Sequence, residues 1–358
     1  MTETPEATIL FGGDIHAGEG TAHVDEAIRR VAAGADLVVV NLESPLTEPG
    51  TPLGGKDLCL RSSPANLQVL RDLSVDVACL ANNHMCDWGS EGLEATRKLL
   101  AGVGIACVGA GANRSEAERP AVLERCGLRI AIAAFGAEEI DTVAAGDGTF
   151  GCAAVERERL HRVAAALRDQ ADVAVMVLHW GYTNYHYPLP EHVELGRSLL
   201  DAGATLVVGH HPHVIQGYER RGRGAVLYSL GNLVFAQYVR GGKPSVLSRE
   251  NRTGVLAEVR VAARSVASIR FVHTWQADLR GDVRMLDPGR AVRRDRFIAR
   301  LCGPLERLDY AGFFRRYALR RIVWRALRWL NPARWRSLSP AYLGGVKVAL
   351  RRIVGTRR

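Results

Sequence analysis

The chain has no run of 18 uninterrupted apolar residues, so a membrane-spanning helix is not expected. Its first residues, MTETPEATILFGGD, have neither the basic nor the apolar region of a secretory signal, and no cleaved leader is expected. Neither G-x-G-x-x-G nor a Walker pattern occurs. The glycines of FGGD and GAGAN are therefore read as tight strand-end turns, not as a phosphate cradle. C-x-x-C is missing too. The seven cysteines (59, 79, 86, 107, 126, 152 and 302) are scattered and odd in number, which predicts reduced thiols in a cytoplasmic protein and excludes a disulfide frame or a cysteine zinc site. There is no internal repeat and no low-complexity segment.

What is present is 358 residues, 47% of them hydrophobic, enough for a large core. The net charge of +9 hides two unlike parts. From Arg290 to Arg358 there are 19 Lys and Arg against 3 Asp and Glu, whereas the remainder carries 28 basic against 35 acidic groups. A mildly acidic body over residues 1–285 and a basic tail over 286–358 are expected to do different jobs.

In the body, Val-, Ile- and Ala-rich runs alternate with amphipathic stretches. Strands are predicted at Ala7–Phe11, Leu37–Val40, Val75–Leu80, Ile105–Val108, Arg129–Phe135, Val173–Leu178, Thr205–Val208 and Val226–Ser229. Helices are predicted at Val24–Ala33, Pro64–Asp72, Glu91–Gly102, Glu156–Gln170 and Pro190–Ala202. This alternation predicts an α/β fold. Two further strands, Gly254–Val261 and Ser268–His273, lack intervening helices and begin to alternate, which predicts an antiparallel second sheet or a sheet edge. The body is expected to end in DLRGDVRMLDPGRAVRRDR. In the tail, Leu319, Ile322, Val323, Ala326, Leu327 and Leu330 share one helical face, surrounded by arginines and bordered by tryptophans.

In open α/β sheets, ligands collect beyond the carboxyl ends of the strands. TILFGGDIH ends in Asp14 and His16, DLVVVNLES in Asn41 and Glu43, and VDVACLANNHMCD in Asn82, Asn83, His84 and Asp87. DVAVMVLH ends in His179, ATLVVGHHPH in His210, His211 and His213, and AVLYSLGN in Asn232. A histidine at one strand end is ordinarily a hydrogen-bonded structural residue. Carboxylate, amide and imidazole delivered by five or six strands to one rim instead suit a pair of divalent cations such as Mn, Fe or Zn, about 3.5–4 Å apart and bridged by a carboxylate.

The order D-x-H, carboxylate, N-N-H, H, H-x-H resembles the calcineurin-like metallophosphoesterase superfamily. The wording NLESPLT, ANNHMCDWGSEGLEAT, GAGAN, HWG, GATLVVGHHPHVIQ and YSLGNLVF, from about Thr8 to Phe235, is similar to its capsule-synthesis CapA branch, the poly-γ-glutamate biosynthesis proteins. The resemblance implies a four-layer αββα sandwich, here with a basic helical tail. It implies one metal on Asp14, His16 and His213, a second on Asn83, His179 and His211, and Glu43 bridging them. His84 would assist a leaving group and Asp87 would orient it. His210, outside the H-x-H spacing, is left a structural role. Two departures stand out. Many CapA-like chains have a less polar residue at the position of His16, and HWG is commonly followed by x-E, where this chain has Thr183. Cys86 is read as a small buried thiol. Tyr182, Tyr185, His186 and Tyr187 line a pocket or merely form a loop.

Two functions follow from the resemblance. One is metal-dependent hydrolysis of a phosphoester or an amide, linked to synthesis of an anionic polymer or peptide. The other is a non-hydrolytic or amide-ligase-associated accessory role in capsule or polyglutamate synthesis at the membrane. The expected substrate is an anionic small molecule or polymer. For the tail, an anionic membrane surface ranks above a packed helix, and above nucleic acid or an acidic polymer, because phosphate binding alone has no use for apolar residues and tryptophans. The expected location is the cytoplasm, with the tail a candidate for peripheral attachment at the inner membrane face.

Overall fold

The computed structural model describes residues 5–329. Two compact units divide the chain, Met1–Cys302 and Gly303–Arg358. In the first unit, the strand Glu6–His16 is central. On one side it pairs in parallel with Leu37–Leu42, followed by Val77–Cys79 and Ala106–Val108. On the other side come the antiparallel strands Thr253–Ala262, Ser265–Gln276 and Val283–Met285. The late alternating strands therefore extend the edge of this sheet and do not form a second one. A second sheet has four parallel strands, Leu128–Gly136, Val173–His179, Leu206–His210 and Gly224–Leu227, closed by antiparallel edges at Ala121–Arg125 and Tyr218–Arg221.

The sheets pack face to face. Ile130, Ile132, Ala134, Val173, Val175, Val177, Leu206 and Val208 share one buried cluster with Ile9 and Phe11 of the first sheet. Successive strand residues point to opposite faces, and the outer face of the second sheet is covered by the helices Arg157–Gln170 and Pro190–Ala202. Val173–His179 is consequently buried at every position, which explains its apolar run without alternation. The helices Glu26–Ala33 and Gly89–Ala101 accompany the first sheet, giving the expected α/β sandwich of helix, sheet, sheet, helix.

One local expectation is corrected and two details are added. The glycines of FGGD lie inside Glu6–His16 and make no turn. A Cβ at Gly13 would lie 2.0 Å from the Gly231 carbonyl oxygen, which accepts a 3.0 Å bond from Asp14 N–H, so glycine is needed for close backbone approach. That approach creates a strand the sequence pattern missed. After Leu227 the chain crosses to the first sheet, where Asn232–Phe235 runs parallel to the end of Glu6–His16 with Asn232 opposite Asp14. The arginine-rich stretch after Leu286 forms the helix Pro288–Cys302, whose buried Ile298 and Leu301 make too narrow an apolar stripe to stand out among the arginines.

No described helix is long and apolar enough to cross a membrane. In the second unit, Tyr310–Trp329 is helical; the tail residues from 330 onward, including Leu330 and Trp335, lie outside the described residues.

Gly13→Ala is expected to destabilise the protein by about 3 kcal/mol in urea unfolding, because strand backbone would have to move. Gly20→Ala, where an added Cβ meets nothing within 4 Å, is expected to leave the midpoint unchanged.

Candidate metal centre

The parallel strands of both sheets end at one rim, and the sequence-predicted residues meet there. Asp14 is supplied by Glu6–His16 and is fully buried. Its Oδ1 accepts 2.9 Å from Asn41 Nδ2 and lies 3.1 Å from His210 Nδ1, while Oδ2 lies 3.2 Å from His213 Nδ1. Glu43 follows Leu37–Leu42, its own N–H held by the Ile15 carbonyl at 2.8 Å. His179 closes Val173–His179, with Nε2 2.9 Å from Asn83 Oδ1 and 3.2 Å from His211 Nδ1.

The HHPH segment departs from ordinary backbone. His211 and His213 have φ of 93° and 56°, in a region that bulky side chains rarely adopt. The resulting turn sends His210 and His213 to Asp14 and His211 to His179, so one short segment reaches both halves of the rim.

Two groups of donor atoms lie close enough to hold an ion each: Glu43 with His179 and His211, and Asp14 with Glu43 and His213. Glu43 belongs to both. His16 belongs to neither; its Nδ1 pairs with Ser44 Oγ at 2.9 Å, which pairs with Ser62 Oγ at 2.7 Å. His84 and Asp87 form a dyad beside the groups, Nδ1 to Oδ2 at 2.6 Å.

Glu43 provides the test of whether a cation fits. Oε1 is 3.3 Å from His213 Nε2, but off the line of a hydrogen bond, and neither buried carboxylate oxygen accepts one from any group. Burial, which Asp14 and Asp87 reinforce against the attraction of His213, raises its pKa well above the carboxylate range. His179 Nδ1 is another buried atom without a partner. Orphaned carboxylate and imidazole atoms among neutral imidazoles are the donor set that divalent transition metals take, so the residues fit.

The other groups respond to the same burial. It lowers His179 and His211 well below the imidazole range and His16 to about 3, with neighbouring histidines adding repulsion. It also lowers His84, against the pull of Asp87. Asp14, which burial alone would raise, is held well below its usual range by His210 and His213. For His213, Glu43, Asp14 and Asn232 together overcome burial and raise the pKa to about 9.

Lys56 is a residue that sequence reasoning missed. Its ammonium donates to the Asn83 carbonyl and, at 2.5 Å, to Asp87 Oδ1. It lies in an irregular loop more than twenty residues from either partner and belongs to no motif, so nothing in the pattern marked it. Ser44 and Ser62, behind His16, were also missed. Cys86 is a buried thiol 4.0 Å from Cys152 Sγ, in keeping with a packing role. The tyrosine loop packs partly on itself, Tyr182 edge-on to Tyr185.

A two-sheet α/β sandwich with a buried carboxylate–imidazole rim defines a protein built around a site suited to divalent cations. More specifically, the chain belongs to the bacterial capsule synthesis protein family PGA_cap, which it matches over residues 8–237. It is 28% identical to the capsule biosynthesis protein CapA of Bacillus anthracis over 71% of this chain and 67% of that protein. It is 30% identical to the PGA biosynthesis protein CapA of Bacillus subtilis over 63% of each chain, and so spans less than two thirds of that relative. It is 34% identical to the "Probable polyglutamine synthesis accessory protein" of Mycobacterium tuberculosis over 68% of this chain and 69% of that protein. Among solved structures, Haemophilus influenzae NAD nucleotidase overlaps 82% of this chain and 55% of that one, with 16% identity and a TM-score of 0.45. A Thermus thermophilus 5'-nucleotidase precursor overlaps 82% of this chain and 58% of that one, with 17% identity and a TM-score of 0.44.

Two outcomes are expected. Lys56→Met strands the buried Asp87 charge and is expected to cost about 3 kcal/mol in urea unfolding. In the metal-free protein, His213 binds its proton more tightly folded than unfolded. Its contribution is complete below pH 6.5 and is lost as the pH rises through about 9. The lowered histidines act in the opposite sense but titrate below 6.5, so the melting temperature is expected to fall between pH 6.5 and 9. A ligating divalent cation should remove that fall, since ligation requires a deprotonated His213.

Proposed function

We propose that this chain is a metal-dependent hydrolase of a phosphoester or amide, acting in the synthesis of an anionic polymer or peptide such as poly-γ-glutamate. We assign one divalent cation to Asp14, His16 and His213, the other to Asn83, His179 and His211, and the bridge to Glu43. The observation that carries this reading is Glu43, whose two oxygens are buried, without hydrogen bonds, and common to both donor groups. Bound cations of this kind supply Lewis acidity and acidify water at neutral pH.

The remaining roles fall to the protein's own groups. Asp87 accepts a hydrogen bond from His84 Nδ1–H and fixes the ring, so that Nε2, once it has taken up a proton, can pass it to a leaving group. Lys56 neutralises Asp87 from the far side and tethers the Asn83 backbone, which holds the Asn83 side chain toward His179. His16 is steadied through Nδ1 by Ser44, which leaves Nε2 as the atom that would face a cation. The association with an anionic polymer rests on the family and on relatives named for capsule, PGA and polyglutamine synthesis.

A second reading, an accessory or ligase-associated role without hydrolysis, draws on Thr183, where the resemblance leads one to expect a glutamate.

Elemental analysis and turnover of an aryl phosphate and of a γ-glutamyl amide separate the two. The hydrolase reading expects bound metal and turnover that chelation abolishes. It expects His84→Ala to lower kcat by about 10²- to 10⁴-fold with metal retained, and His211→Ala to lose metal as well. A metal-loaded protein that turns over neither substrate with any divalent ion would favour the accessory reading. A protein that takes up no metal would overturn the ligand assignment.

A further inference from the structure

The helix Tyr310–Trp329 carries six arginines and no acidic residue. Tyr310, Phe314 and Ala318, spaced four apart, form a buried stripe. The side turned away from that stripe is unusual: Leu319 and Val323, again four apart, are 51% and 49% exposed. Arg315 and Arg316 precede them by about a turn, Arg320 lies between them, and all three are exposed. Trp324 stands beside them, 58% exposed, in a groove shared with Tyr317, Arg320 and Arg321. A solvated basic face has no need of half-exposed aliphatic side chains among its arginines, and a polyanion recognised by charge alone gains nothing from them. A bilayer surface uses both, burying aliphatic groups at the boundary of headgroups and acyl chains while arginines meet lipid phosphates and tryptophan sits at the interface.

We propose that the exposed face of this helix is a docking surface for a membrane rich in anionic lipid. Leu319 and Val323 enter the headgroup boundary, and Arg315, Arg316 and Arg320 bind the phosphates. The charge of the chain fits this partner: between Arg290 and Arg358 basic groups outnumber acidic ones 19 to 3, while the rest of the chain is net acidic.

The test is co-sedimentation of the full chain with vesicles of phosphatidylcholine alone and of phosphatidylcholine with phosphatidylglycerol. Binding to the anionic vesicles only, weakening with salt, is expected. The triple variant Arg315→Gln, Arg316→Gln, Arg320→Gln should bind about 100-fold more weakly, at roughly five-fold for each charge. The double variant Leu319→Glu, Val323→Glu should lose binding, with circular dichroism verifying that helix content is retained; Leu319→Ser, Val323→Ser serves if it is not. Failure of the wild-type chain to bind anionic vesicles overturns the proposal. So does full binding by either aliphatic variant, which would mean a partner recognised by charge alone, as does displacement from the vesicles by double-stranded DNA at equal phosphate concentration.

Discussion

A carboxylate buried without a donor to either oxygen must be matched by a cation or lose its charge, because the cost of desolvating an unpaired charge is several kcal/mol even after relaxation. Glu43 is held in that condition by the fold. Its backbone is fixed against the central strand and its side chain faces His213 on one side and His179 with His211 on the other. Without metal, burial pushes the carboxyl toward its neutral form, while His213 Nδ1 faces Asp14 Oδ2 and Asn232 Oδ1. The strained backbone at His211 and His213 points the same way, since such conformations persist where surrounding structure imposes them.

The sandwich architecture makes this rim possible. Each parallel strand brings its carboxyl end to the same edge, and two sheets packed face to face bring two such edges together. Asp14 and Glu43 come from one sheet and His179, His210 and His211 from the other. The crossing from Leu227 to Asn232 ties the sheets at the site itself, and Gly13 permits it. Around the rim, Asn41, Asn82, Ser44, Ser62 and Lys56 occupy the polar atoms of the chain that packing would otherwise leave unpaired.

Charge is distributed with similar economy. An acidic body encloses a centre suited to cations, and the basic residues gather at the C-terminal side, where the helix Tyr310–Trp329 joins arginines to exposed aliphatic groups. The two features are separate in sequence and in chemistry.

The strand-end polar residues and the apolar runs before them were legible because burial on both faces demands an uninterrupted apolar strand, and only function or capping places histidine at its end. The α/β class and the set of polar residues at the strand ends follow from that local pattern, whereas the sandwich and the span of the family match came from the resemblance. Less was legible where contact crosses long stretches of chain. Lys56 reaches Asp87 and Asn83 from a loop without periodicity, Asn232 opens a strand in the opposite sheet from the one it leaves, and Gly13 owes its identity to the carbonyl of Gly231. His16 turns toward Ser44, and His213 is shared between Asp14 and Glu43. The sequence by itself determined which chemical groups stand at the strand ends, because burial is written in local periodicity. Only the tertiary structure decided which of them meet, because the distances and orientations that pair them depend on how two sheets pack, and no local pattern encodes that.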